Sequence, residues 1–275
     1  MIDLHSHTTH SDGQRTPGEL FDEAKAAGVA VLAVTDHDTV AGLVECAAAA
    51  VRVGLRLVPG IELSSELHGR EVHVLGHFVD ATSPALLELQ RWMMAERRER
   101  MERMVEKARA KGLRVTLAQV IALSGGENLG RPHLARALVD AGHASSVKDA
   151  FDHYLNARGS LFVDRQRYPV ADAIALIHSA GGTASLAHPG ANKVSKQELK
   201  GLAEVGLYAV EALHPEHVPN QVEAFTRWAG EFGLLVTGGS DYHGPAVQPG
   251  RTLGTRSLSA EAFAKLEERA RMHRV

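Results

Sequence analysis

Apolar positions fall along this chain in two rhythms. In the first, short apolar runs stop at polar residues: residues 2–4 halt at His5, 29–34 at Thr35-Asp36-His37-Asp38, and 55–61 at Glu62. Runs of this length suit buried strands. Between the first two, Thr16-Pro17-Gly18-Glu19 predicts a helix start. Thr16 caps, Pro17 suits the first helical position, and Glu19 completes a capping box. Gly28 ends that helix, and Gly54 ends an alanine-rich helix that follows the second strand. Residues 71–79 alternate, with Val72 and Val74 facing one way and His73, Leu75 and His77 the other.

The second rhythm is helical. Residues 84 to about 157 hold no convincing strand, and Leu86, Leu89, Met93, Met101, Met104 and Val105 fall near helical spacing in a long helix over 84–111. Two more helices are predicted over 132–139 and 146–155. Strands then resume: 183–187 ends at His188-Pro189, 207–213 at His214-Pro215, and 234–237 at Gly238-Gly239-Ser240-Asp241. A last helix covers about 260–272. Roughly seven strands in βα succession predict an α/β fold with a parallel sheet, open or closed into a barrel. The expected organisation is a first barrel segment over 1–81, an all-helical insert over 82–159, and a second barrel segment over 160–275.

Composition narrows the class. A single cysteine, Cys46, excludes a disulfide framework and a cysteine-based zinc ribbon, and fits a reducing compartment. With 44% hydrophobic residues the chain is not disordered. No apolar run reaches membrane-spanning length, and the N-terminus lacks the basic-then-apolar pattern of a signal peptide, so a cytoplasmic protein is expected. Sixteen histidines beside seven Phe and four Tyr bias the chain toward metal or acid–base chemistry. Charge divides it too. Residues 82–160 carry 13 basic and 9 acidic residues, a net of +4, whereas the remainder carries 17 and 24, a net of −7. A basic insert over an acidic barrel suggests an anionic ligand held between insert cations and metal ions. For the run Arg97, Arg98, Arg100, Arg103 a solvated helix face is an equal reading.

The polar residues gather where strands end, and in a parallel α/β barrel those ends form the active-site face. His5 and His7, two apart in extended chain, put both imidazoles on one side, as two ligands to a single cation require. Alone that pair is a weak signal; Asp12 and the later strand-end clusters give it weight. Glu62, His73, His188, Asp241 and His243 add oxygen and nitrogen donors without thiolate, a set that suits Mn, Fe or Zn. With His37, these nine residues are too many for one ion and predict two or three, with a carboxylate bridging. For His73 the plainer alternative is a hydrogen-bonded side chain sharing a strand face with His77.

DLHSHTTHSDG at 3–13, TDHDT at 35–39, GIEL at 60–63, EVHVLGH at 71–77, AHPG at 187–190 and GGSDYHG at 238–244 resemble the motifs of the PHP (polymerase and histidinol phosphatase) phosphoesterases. The resemblance spans both barrel segments in order. It implies a distorted seven-stranded β/α, TIM-like barrel of the amidohydrolase-like group, carrying an all-helical insert. GRPHLARAL at 130–138 is similar to the insert of members that hydrolyse nucleoside 3′,5′-bisphosphates, some of whose relatives are 5′→3′ exoribonucleases on short RNA. By resemblance His5, His7, Glu62 and Asp241 would hold a first ion. Glu62 would bridge to a second, completed by His73 and His188, and Asp12, His37 and His243 would hold a third. Some relatives carry His where this chain has Asp12, which puts third-site occupancy in question. The implied cofactor is two or three divalent ions, Mn2+ first, with Fe or Zn as alternatives.

The expected chemistry is attack on phosphorus by a metal-bridging hydroxide, with the ions neutralising the developing charge. The proton for the leaving oxygen would come from His217, Asp12 or a third-site water, so Asp12, Glu62 and His217 are the catalytic candidates. Arg131 is the main phosphate-clamp candidate: a guanidinium fork beside Pro132 at a helix start. His133 would join it or only cap. Asn192, His214 and Arg98 complete the substrate-binding candidates, although helical spacing keeps Arg97, Arg98 and Arg100 from facing one point. The expected reaction removes the 3′-phosphate of a nucleoside 3′,5′-bisphosphate. The alternatives are a 5′→3′ exoribonuclease on short RNA, a histidinol-phosphate phosphatase, or a degenerate non-catalytic module. Few aromatics argue for a small anionic nucleotide over long RNA; neither a membrane nor an obligate protein partner is expected.

Overall fold

The computed structural model of the chain describes residues 1–124, 128–164 and 166–272. Its strands are β1 (Ile2–Asp3), β2 (Val31–Val34), β3 (Arg56–Leu67), β4 (Arg70–His77), β5 (Tyr168–Pro169), β6 (Thr183–Leu186), β7 (Ala209–Leu213) and β8 (Leu235–Gly238). The helices are α1 (Pro17–Ala26), α2 (Leu43–Val53), α3 (Pro84–Ala110), α4 (Leu117–Ser124), α5 (Arg131–Asp140), α6 (Val147–Ala150), α7 (Val170–Ser179), α8 (Lys196–Glu204), α9 (Pro219–Phe232) and α10 (Ala260–Arg271), with a π-helical turn at Phe151–Leu155.

Seven strands form one path, β1-β2-β3-β4-β6-β7-β8, and β5 pairs with the far end of β3. The Leu4 N–H donates to the Gly238 carbonyl (3.2 Å) and the His7 N–H to the Tyr242 carbonyl (3.0 Å), so the two ends of the path meet in a nearly closed barrel. The sheet is not all parallel, as βα counting predicts. β4 runs antiparallel to both β3 and β6. The reason is the link between β3 and β4. Only His68 and Gly69 separate them, at φ 49° and 76°, and two left-handed residues make a hairpin turn, not a crossover. β3 also continues beyond Glu62 to Leu67, so the hairpin projects past the barrel mouth.

Local signals behave as their chemistry dictates. Thr16 Oγ1 accepts from the Glu19 N–H, and Glu19 returns the bond to the Thr16 N–H, fixing the start of α1. α4 is a helix that hydrophobic periodicity misses. Its start carries a Thr116/Gln119 capping box, a signal that is present in the sequence.

Helices pack around the barrel through Leu20, Phe21, Leu32, Val34, Ile61, Ile174 and Ile177. α10 covers the N-terminal ends of the strands, with Phe263 and Leu266 against Leu4, Ala33 and Val58. α3 serves two cores: Leu86, Leu89 and Met93 join the barrel, whereas Met101, Met104 and Val105 join the insert helices. Among the described residues, no helix is long and apolar enough to cross a membrane.

Candidate metal centre

The strand ends bring the predicted ligands together. Glu62 is fully buried at the centre. Its Oε2 lies 3.2 Å from His5 Nε2, His7 Nε2 and His37 Nδ1. Its Oε1 lies 2.8 Å from His73 Nδ1 and 3.0 Å from His188 Nε2. Asp241 Oδ1 faces the same space, 3.3 Å from His5 Nε2 and 3.4 Å from His7 Nε2. Asp12 Oδ1 is 3.3 Å from His243 Nε2 and 3.9 Å from His37 Nε2. Three donor sets result: His5, His7, Glu62 and Asp241; His7, Asp12, His37 and His243; and His37, Glu62 and His73. His188 approaches Glu62 beside the last set, and His37 presents one nitrogen toward Asp12 and the other toward Glu62.

Backbone geometry supports this convergence. Asp38, His188 and Asp241 have φ of 55°, 28° and 50°, a region that non-glycine residues rarely occupy and that concentrates at functional sites. A Cβ at Gly239 would stand 2.4 Å from the His5 Cβ, so glycine there lets the β8 end pass under the first ligand. β4 reverses direction, so its early residue His73 reaches the mouth. His77, at its far end, is buried with Nε2 donating to the Leu4 carbonyl at 2.9 Å. The two histidines share a strand face but not a role.

The residues fit bound cations better than they fit one another. His5 Nε2 and His7 Nε2 are 3.1 Å apart, a contact that leaves two lone pairs opposed unless one of these two nitrogens carries a proton. Asp12 Oδ1 and His37 Nδ1 are buried without an aligned hydrogen bond, despite their short distances to neighbours. Burial opposes protonation of His73, but the Glu62 carboxylate lifts it to about 10. At His37 burial prevails over Glu62 and Asp12 and pushes the ring down to about 3. Burial alone would raise Glu62 and Asp12. The imidazoles of His37 and His5 around Glu62, and of His37 and His243 around Asp12, hold both well below the carboxylate range. Ionised carboxylates ringed by imidazole nitrogens form an N/O donor set suited to Mn, Fe or Zn.

Behind the donors lies a second layer that sequence reading missed. His5 Nδ1 bonds Glu211 Oε1 at 2.9 Å, and Glu211 Oε2 accepts the His188 N–H at 2.8 Å. Glu211 lies within the buried strand β7. A carboxylate there needs a partner, which is the signal that was available. Asp36 accepts from the Thr8 N–H and from the hydroxyls of Thr8 and Ser11, shaping the loop that carries Asp12. Arg97 pairs with Asp38 and also donates to Ser64 Oγ.

A cleft of ≈160 Å³ opens beside Asp12, His37 and His73, lined further by Glu71, Arg97, Arg100, Arg131 and Phe151. Arg131 sits at the first turn of α5, 3.3 Å from Glu71 Oε2. Asn192 Nδ2 is 3.5 Å from His188 Nδ1, at the edge of the cluster.

Four candidates stand elsewhere or do something else. Arg98 faces solvent and pairs with Glu102 one turn on, since helical rotation turns it away from Arg97. His217 is locked by backbone on both sides: Nδ1 bonds the Ala212 carbonyl (2.9 Å) and Nε2 accepts from the Gly190 N–H (3.0 Å). That fixes the neutral Nδ1–H tautomer, whose one proton is held by the Ala212 carbonyl, so it is a structural residue and not a proton donor. His133 is buried and its Nδ1 accepts the Gly130 N–H at 3.0 Å; burial pushes it down to about 4, and it caps α5 and is not a substrate ligand. His214, buried, has Nε2 3.3 Å from Asp241 Oδ2, which makes it a support for Asp241 and not a substrate contact.

A barrel whose strand ends gather histidines and carboxylates in overlapping donor sets, next to an arginine-lined cleft, defines a metal-dependent hydrolase. A family model described as PHP domain matches residues 3–212, and the chain belongs to the PHP family. It is similar to a Haemophilus influenzae 5′-3′ exoribonuclease, 36% identical over 257 residues covering 91% of this chain and 93% of that protein. It is also similar to a Chromobacterium violaceum 3′,5′-nucleoside bisphosphate phosphatase, 34% identical over 258 residues covering 92% and 90%. Among solved structures, a Bifidobacterium adolescentis protein described as a metal-dependent phosphoesterase superposes with a TM-score of 0.92 at 32% identity, covering 98% of this chain and 96% of that one. The protein is a metal-dependent phosphoesterase.

Proposed function

We propose that this enzyme removes the 3′-phosphate of nucleoside 3′,5′-bisphosphates, giving the nucleoside 5′-monophosphate and inorganic phosphate. The observation that carries this reading is the small cleft bordered on one side by donor residues and on the other by Arg97, Arg100 and Arg131. One phosphoryl group set against Glu62, His73 and Asp12 would leave a second within reach of guanidiniums. The nucleoside bisphosphate phosphatase, similar over 92% of the chain, supports the same substrate class.

Divalent ions, with Mn2+ first, would be held by His5, His7, Glu62 and Asp241, by Glu62, His73, His37 and His188, and by Asp12, His7, His37 and His243. When bound they supply an activated water and offset phosphoryl charge. The chain's own residues do the rest. Glu62 fixes the spacing between donor sets. Glu211 holds the His5 Nδ1–H, leaving Nε2 a free donor. Arg131 orients a phosphate in its fork, and Phe151 forms an apolar wall of the cleft.

A second reading follows from the similarity to exoribonucleases: the same cleft would take the 5′ end of a short RNA. Incubation with Mn2+ and adenosine 3′,5′-bisphosphate is expected to release phosphate and AMP in equal amounts. Rapid mononucleotide release from a 5′-phosphorylated oligoribonucleotide, with no turnover of the bisphosphate, would replace the first reading by the second.

A further inference from the structure

The two oxygens of Asp241 have opposite surroundings. Oδ1 faces the donor cluster, 3.3 Å from His5 Nε2 and 3.4 Å from both His7 Nε2 and His243 Nδ1. Oδ2 points away from it, 3.0 Å from Arg251 Nη1 and 3.3 Å from His214 Nε2. The same Arg251 Nη1 donates to the Asp241 carbonyl at 3.2 Å, and Nη2 donates to Glu216 Oε1 at 2.9 Å. Arg251 thus ties the loop after β8 to the loop after β7. It grips both main chain and side chain of a residue held at φ 50°.

We propose that Arg251 is a positioning residue for the metal centre. By occupying Asp241 Oδ2, it leaves the carboxylate only Oδ1 to offer the first ion. The inference rests on Asp241 being a metal ligand, as the proposed function has it. A carboxylate with both oxygens free can grip an ion with two atoms; one whose outer oxygen already accepts two donors offers a single atom. That keeps a coordination position available for substrate or water. A guanidinium suits this task because its two nitrogens span Asp241 and Glu216 in a fixed fork that an ammonium does not reproduce.

Charge and position predict opposite signs. A cation 3.0 Å from a ligand oxygen repels metal ions, so if charge were its effect, removing Arg251 would tighten metal binding. If it positions Asp241, removal weakens and reshapes binding.

The test compares the full-length parent with Arg251→Ala, Arg251→Lys and Asp241→Asn, each stripped by chelator. Mn2+ affinity is measured by competition with a chromophoric chelator. Coordination is read from the visible spectrum of the Co2+-loaded protein. Arg251→Ala is expected to weaken filling of one ion by about 10- to 100-fold and to change the Co2+ band. Added guanidinium should restore part of both, and the metal-free melting temperature should stay near the parent's. Arg251→Lys should recover less than guanidinium does. Parent-like or tighter binding with an unchanged spectrum in Arg251→Ala overturns the inference. So does a loss matched by a lower metal-free melting temperature and not rescued by guanidinium. Parent-like metal affinity in Asp241→Asn would instead remove the ligand assignment beneath it. If that variant loses an ion while Arg251→Ala does not, only the role of Arg251 falls.

Discussion

Glu211 and His5 meet inside the barrel, an oxygen and a ring nitrogen 2.9 Å apart, with no solvent on either side chain. Burial lowers the His5 imidazole's affinity for a proton, but the carboxylates of Glu211, Glu62 and Asp241 raise it well above the usual histidine range. In the charged cluster the ring keeps a proton on Nδ1, toward Glu211. Glu211→Gln keeps the shape and removes the charge. It is expected to weaken metal loading by about 10- to 100-fold, measured by chelator competition. Unchanged loading would show that the pair serves folding only.

Removing the ions should destabilise the fold. Glu62, Asp12 and Asp241 are ringed by imidazoles that oppose one another unless cations or protons intervene. Ions at about a hundred times their dissociation constant stabilise by ~2.7 kcal/mol per site. Chelation should therefore lower the melting temperature by roughly 5–10 °C for each site emptied. A scanning-calorimetry trace that chelator does not shift counts against the donor assignments.

Arg131 and Arg98 make a matched pair of opposite expectation. Arg131 lines the cleft; Arg98 faces solvent beside Glu102. A charge-assisted hydrogen bond is worth about 1.5–3 kcal/mol. Arg131→Ala should raise KM for the bisphosphate by about 10- to 100-fold with a smaller effect on kcat. Arg98→Ala should leave both within twofold of the parent, roughly the scatter of a surface change. Steady-state kinetics on the two variants decides it.

Acid sensitivity should come from histidines that are buried neutral and lie outside the three donor sets. Burial pushes His77 and His133 down to about 4 from the ordinary histidine value of 6.5. Between those values the unfolded chain binds protons that the folded chain refuses. Stability from this source is therefore complete above pH 6.5 and falls as pH drops toward 4, with no further loss below. The loss is on the order of 3 kcal/mol per residue. Urea unfolding in chelator across this range should show the slope, and His77→Gln should flatten it. An identical slope in that variant would point to other groups.

Much of the site was legible because its residues stop apolar runs. His5, His188 and Asp241 each follow a strand, and Glu62 stops an apolar run inside β3; the end of an apolar run is a position that sequence can mark. The resemblance to PHP motifs then grouped them. What escaped had no such marker. Glu211 sits within a strand, and Arg251 lies in a loop without pattern. The antiparallel β4 escaped because a two-residue turn, His68-Gly69, decides direction while leaving the alternation of side chains unchanged. Arg98 was misassigned because a run of arginines says nothing about rotation around the helix until a neighbour such as Asp38 fixes where Arg97 points. His217 followed a strand end as well, but its backbone partners, Ala212 and Gly190, are invisible to spacing.

The reversal of β4 sets a length requirement on the helix that follows. The chain leaves β4 at the end of the barrel remote from the mouth, yet Arg97 must reach Asp38 at the mouth. The thirteen steps of α3 from Pro84 to Arg97 climb about 20 Å at 1.5 Å each. The first part of α3 is thus a ruler as well as a wall. Deleting one residue between Met93 and Arg97 would turn the guanidinium by about 100° and point it at solvent, while deleting a whole turn would leave it short of its carboxylate. Insertions into α3 are then expected to be best tolerated beyond Arg100, where the helix has finished measuring the barrel and Met101, Met104 and Val105 pack in the insert's own core.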